Sequence, residues 1–231
     1  MADEVEKPSW MLGAGVDVDM TGDPTAGAGA FIRFWLPKGS DRTVVFLTEG
    51  NKSVCLWEHN YRMGGNWRNW LSCCGPTGAK CPMCAWADAN DGQFRRYKAQ
   101  FFTIVDCHEF TDSAGKVRKN EKRLLCAKKD TTEVLKRKYL TRVENDQGLR
   151  GAMFKVYRTS SDKSAGCGED FEFQKMVDLS SLPDSAELDY VSLLRPQPEK
   201  MLSVMDRIKR ESGSGGPSAG GTDGSDARIP F

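Results

Sequence analysis

Short runs of β-branched and aromatic residues, each closed by turn residues, set the pattern of the first half of this chain. Phe31-Ile32-Arg33-Phe34-Trp35-Leu36 alternates about Arg33 and stops at Pro37-Lys38-Gly39. Thr43-Val44-Val45-Phe46-Leu47 follows, and Val54-Cys55-Leu56-Trp57 comes after Gly50-Asn51. Period-two runs between turn signals predict an antiparallel meander. Residues 60–96 hold no sustained period and read as an insertion of Gly, Asn, Trp and Cys. Strand character returns over 97–105, and Asp112-Ser113-Ala114-Gly115 predicts a hairpin turn into 117–127. At Asp130 the period changes. Glu133 lies three residues on, close to a capping box, while Leu135, Tyr139 and Val143 share one helical face and Gln147-Gly148 supplies the stop. Phe154, Val156 and Arg158 predict another strand, Phe171-Glu172-Phe173 the next, and residues 188–194 and 200–209 two helices.

Several short strands with one helix between the later ones predict a mainly β fold, an antiparallel barrel of the OB type with an inserted subdomain and a few helices. The barrel is expected over residues 31–175, its insertion at about 58–96, and a helical segment over 176–211. Phe34, Phe46, Phe102, Ile104 and Phe154 are the expected core rings and aliphatics. Residues 1–30 read as a flexible acidic arm, and 212–231 as a disordered Gly/Ser tail that cannot bury enough surface to fold.

Charge sharpens this division. Residues 1–30 hold one Lys against six Asp and Glu, residues 31–163 hold 25 Lys and Arg against 14 acids, and residues 164–231 hold 7 against 12. A basic centre between acidic flanks predicts that the middle binds an anion. With 39% apolar and 28% charged residues the chain is not wholly disordered. No run approaches the ~18 apolar residues of a membrane helix, and the acidic residues 1–7 do not read as a secretory signal. A cytoplasmic protein with no membrane partner is expected.

Eight cysteines without an export signal point to metal or buried thiols rather than disulfides. His59, Cys73, Cys81 and Cys84 form a His-x13-Cys-x7-Cys-x2-Cys series in the Gly-rich insertion. A two-residue gap lets two thiolates grip one ion from a tight turn, and four protein donors suit a closed, structural Zn²⁺ site. Spacing alone leaves Cys74 as an alternative to Cys73. Cys55, Cys107, Cys126 and Cys167 read as structural thiols beside apolar runs. No His-Glu-x-x-His or deaminase pattern is present, and with two histidines a hydrolytic His cluster is impossible, so no catalytic residue is expected.

Cations interleave with rings. Arg33 stands near Trp35, Tyr61-Arg62 precedes Trp67, Arg95-Arg96-Tyr97-Lys98 opens a strand, Lys122 lies in another, and Lys155 and Tyr157 share a face of a third. Single-stranded nucleic acid needs this combination of charge for phosphates and flat surfaces for unstacked bases.

Residues 31–173 resemble the bacteriophage single-stranded-DNA-binding proteins related to the T-even helix-destabilising protein. The similarity rests on His59, Cys73 (or Cys74), Cys81 and Cys84, with Trp67 eight residues after the histidine. It implies an OB-fold with a structural zinc module, and a basic cleft between the two formed by Arg62, Arg95, Arg96, Tyr97, Lys98 and Lys122. The end of the chain is similar to the tail tip of bacterial single-stranded-DNA-binding proteins. That likeness implies docking of replication or recombination proteins through Asp223, Asp226, Ile229, Pro230 and Phe231, on a flexible tether. The expected function is sequence-independent coating of single-stranded DNA in phage replication, recombination and repair. The alternatives are a zinc-containing nuclease or recombination factor, for which Asp106, Glu109 and Asp112 form the only close acidic group in the basic region, and an RNA-binding regulator.

Overall fold

The computed structural model describes residues 33–63, 66–75, 80–89, 95–111, 115, 117–161 and 164–213. The arm, the tail beyond Gly213 and the docking tip from Asp223 to Phe231 lie outside these residues, while Ser212 and Gly213, expected to open the tail, still belong to the last helix. In chain order the elements are β1 (Asp41–Phe46), β2 (Val54–Met63), β3 (Asn66–Ser72), α1 (Pro82–Ala89), β4 (Arg96–Asp106), β5 (Phe110–Thr111), β6 (Val117–Arg118) and β7 (Glu121–Ala127). Then come α2 (Lys129–Val143), β8 (Ala152–Tyr157), β9 (Asp170–Met176), α3 (Tyr190–Leu194) and α4 (Pro198–Gly213).

The long strand β4 is the spine. Along one edge its C-terminal half pairs with β1 and its N-terminal half with β2; β7 runs along the other. β8 continues the sheet from β1, β9 from β8, and every one of these ladders is antiparallel. The expected mainly β, barrel-like architecture is thus present, with β1 and β2 acting as one long strand broken at a 3-10 turn over Gly50–Lys52. Glycine is needed there because a Cβ on Gly50 would lie 2.5 Å from the Tyr139 ring of α2.

Among the described residues no ladder joins β7 to β9. Residues 33–36 fill that seam: Phe34 N–H donates to the Leu124 carbonyl at 2.9 Å and Leu36 N–H to the Gly166 carbonyl at 2.8 Å. The strand expected over 31–36 is therefore reduced, where described, to one parallel bridge between Arg33 and Leu124.

Alternation places Phe46, Phe102, Phe154 and Phe171 in one core, where Phe46 meets the other three edge to face at 5.5–6.3 Å between centroids. All five expected core residues are buried. Leu135 of α2 closes the core, but Val143 is 45% exposed, because α2 ends before the predicted stop. Its N-cap is Lys128, with no side-chain cap; Asp130 instead sits in the first turn, where its charge suits the helix dipole. The outer sheet face is covered by the C-terminal segment. Leu179 and Leu182 pack on Val45, Leu47 and Val105, and Tyr190 and Leu194 on Leu56 and Phe101. Thr103 N–H donates to the Tyr190 hydroxyl at 2.7 Å, which ties α3 to the spine.

The insertion is more regular than its sequence suggests. β2 runs on to Met63 and pairs with β3, with a register shift between His59 and Tyr61 that breaks the apolar period. No described helix is long and apolar enough to cross a membrane.

Candidate metal centre and the adjoining sheet face

His59 comes from β2, Cys73 from the end of β3, and Cys81 and Cys84 from the start of α1. Pro82 is the first helical residue, where its fixed φ and missing N–H cost nothing. It sets the knuckle that brings the two thiols together, and Ala85 N–H closes it onto the Cys81 carbonyl at 3.1 Å. The four ligand atoms all lie within 4.8 Å of one another. His59 Nε2 is 3.2 Å from Cys81 Sγ and 3.7 Å from Cys84 Sγ, and Cys73 Sγ is 3.5 Å from Cys84 Sγ. A tetrahedral zinc site with sulfurs at about 2.3 Å has S···S edges of about 3.8 Å, so the donors need only small shifts to close on one ion.

The donor chemistry agrees. Hydrogen bonding from Cys73, reinforced by His59, draws the Cys81 thiol down to about 2. Cys73 moves up chiefly because it is hydrogen-bonded to Cys81, and Cys84 because burial penalises its charge. Neighbouring thiols in this pocket thus push one another in opposite directions. His59, Cys73 and Cys81 are fully or almost fully buried, and all eight cysteines are free thiols. This cluster can hold a metal ion such as zinc, and its four protein donors leave no position for a substrate.

Of the adjacent pair, Cys73 belongs to the cluster and Cys74 does not. Cys73 N–H donates to the Trp57 carbonyl at 2.7 Å, which turns its side chain inward. Cys74 Sγ faces the Met201 sulfur at 3.9 Å, and that sulfur also lies 3.8 Å from Cys81 Sγ. Met201, Met205 and Ile208 of α4 pack with Cys81, Met83 and Ala87, so the C-terminal helix lids the module.

Register extends the site into the barrel. Across the β2–β4 ladder, His59 stands opposite Arg96, Trp57 opposite Lys98 and Cys55 opposite Gln100, so all six occupy one face. Arg96 donates to the Gly75 carbonyl at 3.2 Å and to Cys73 Sγ at 3.8 Å, and its guanidinium lies 4.7 Å over the Trp57 ring. Lys98 and Arg95 are exposed.

The other predicted nucleic-acid contacts are dispersed. Arg33 is bound to Glu58, a carboxylate with no exposure. Tyr97 donates to the same carboxylate at 2.6 Å, and burial followed by the Glu58 charge raises its phenol. Both therefore belong to a buried polar knot on the opposite face, not to an open surface. Tyr61 is 6% exposed, packed among the module's sulfurs, and presents no ring to a base. Lys122 is engaged by Asp184 at 2.5 Å. Lys155 lies beside Asp41 and Tyr157 donates to Glu172, both on the outer face of the β1–β8–β9 sheet. Trp35 is 43% exposed, with Arg158 5.3 Å from its ring centroid. The side chains of Arg62 and Trp67 lie outside the described residues. Trp57, which the sequence does not single out, joins this face through its ladder position opposite Lys98.

Part of the charge segregation is consumed within the chain, since Lys122 pairs with Asp184 and Arg150 with Glu187 of the acidic C-terminal segment. Of the acidic group around Asp106, the two described members are engaged by cations. Asp106 is bound to Arg42 at 2.8 Å, Glu109 lies near Lys119, and Asp112 is outside the described residues. Compared with protein families and with curated proteins, the chain matches none.

Proposed function

We propose that this chain is a non-enzymatic binding protein for single-stranded DNA, in which a zinc ion braces one wall of the binding face. The observation that carries the reading is the single sheet face on which the buried ligand His59 is continuous with Trp57, Arg96 and Lys98. The Trp57 ring, with the exposed Lys98 opposite it, offers stacking and a phosphate contact together, which is how sequence-tolerant single-strand binding is built. The barrel-like topology is the same one that many such proteins use. Zinc fits because His59, Cys73, Cys81 and Cys84 supply one nitrogen and three sulfurs in a closed set; bound there, the ion would pin the ends of β2 and β3 to α1. The resemblance to phage single-stranded-DNA-binding proteins supports reading the activity as part of replication, recombination and repair in the host cytoplasm, with the tail recruiting partners.

Competition among single-stranded DNA, duplex DNA and RNA at two salt concentrations tests this. Single-stranded DNA should win and its affinity should fall steeply with salt, with a slope of about −0.7 per phosphate contacted. Equal binding of duplex rejects the proposal, and a clear preference for RNA moves it to an RNA-binding regulator.

A further inference from the structure

Arg96 makes three contacts that Lys98, two residues along the same face, does not share. Its guanidinium reaches the Gly75 carbonyl and Cys73 Sγ while lying over the Trp57 ring. A planar fork can donate at its rim and stack through its face at once; an ammonium cannot. Three thiolates and one divalent ion leave the cluster with one net negative charge, and Arg96 is the cation placed to answer it.

We propose that Arg96 is a positioning residue and not a phosphate contact: it locks the Trp57 ring to the metal loop, so that the ring's placement in the binding face follows the state of the metal cluster. This rests on the single-strand reading above. It inverts the expectation for Arg96 from sequence, where it counted as one more cation for the backbone. Lys98, exposed and opposite Trp57, keeps that role.

The test uses the full chain and a fluorescent single-stranded oligonucleotide titrated over a range of salt. Lys98→Gln should make the salt dependence shallower by about 0.7, the loss of one phosphate contact. Arg96→Gln should weaken binding by at least about tenfold with the slope unchanged, and Arg96→Lys should fail to restore it. Emission from Trp57, isolated by subtracting a Trp57→Phe variant, should shift both in Arg96→Gln and on chelation of the wild-type protein. Chelation should then cost Arg96→Gln little further affinity, because the two changes cut one connection. The proposal is overturned if Arg96→Gln flattens the slope as Lys98→Gln does, if Arg96→Lys restores binding, or if Trp57 emission ignores chelation. Loss of bound metal from Arg96→Gln also overturns it, since Arg96 would then only build the centre. Should the wild-type chain show no preference for single strands, the functional reading fails instead, while the emission experiment still decides whether Arg96 links Trp57 to the metal.

Discussion

In the barrel, the largest buried groups are rings and aliphatics: Phe46 touches Phe102, Phe154 and Phe171 edge to face, and Leu36, Ile104 and Leu125 fill the spaces between. In the metal module the buried groups are sulfurs, with Cys73, Cys81, Met83, Met201 and Met205 around a few side chains such as Tyr61 and Leu71. The first arrangement needs nothing but water to drive it together. The second is small, gathers groups that repel one another once ionised and that could hold a metal ion, and is covered by a helix lent from the far end of the chain. One protein therefore holds a region whose stability is spread over many contacts beside one whose stability is concentrated at a point.

Truncating the barrel core should give the largest effect. Phe46→Ala removes the ring common to three edge-to-face pairs and should cost about 3–5 kcal/mol in urea denaturation, felt over the whole barrel. Cys81→Ser should come next and act differently. Bound metal should fall from one ion per chain to none, and amide exchange should quicken in α1 and α4 while the amides of β1, β4 and β8 keep their protection. Barrel amides opening together with the module would break the distinction, showing one cooperative unit. The smallest effect concerns pH. Burial raises the Glu187 carboxyl, against a weaker opposing pull from the Thr48 hydroxyl and Arg150. A raised value in the folded state means tighter proton binding there, so the stability it confers is full below the ordinary glutamate range and is lost as pH rises through the folded value. The segment carrying Glu187 should thus be held most firmly in acid, and Glu187→Gln should abolish the difference. Because the group is partly solvated, the change should stay within about half a kcal/mol in a pH series of thermal melts.

How much of this was visible beforehand follows the same division. The barrel core was legible because alternation forces Phe46, Phe102 and Phe154 inward wherever the strands pair. The ligands were legible because His and Cys at those intervals have few other uses. Three features had no local signal. Arg33, set between Phe31 and Trp35, looks like an outward cation, yet its partner Glu58 lies 25 residues on in another strand. Tyr61 follows an irregularity in the β2–β3 register and lies buried in the module, where plain alternation gives no warning of it. The covering of the module by α4 brings Met201 against Cys81 across 120 residues, and an amphipathic helix does not state what it will cover. Cys73 rather than Cys74 is the one whose sulfur lies with the other three donors, a placement that spacing cannot express.

The seam has a practical corollary. Residues 33–36 hold the two sides of the sheet together through main-chain bonds to Leu124 and Gly166, and the same segment delivers the only guanidinium described on Glu58. Any shortened version that starts at Pro37 would lose a staple and leave the buried Glu58 carboxylate to Tyr97 without its guanidinium at the same stroke, so residues 33–36 belong in any trimmed form of this protein.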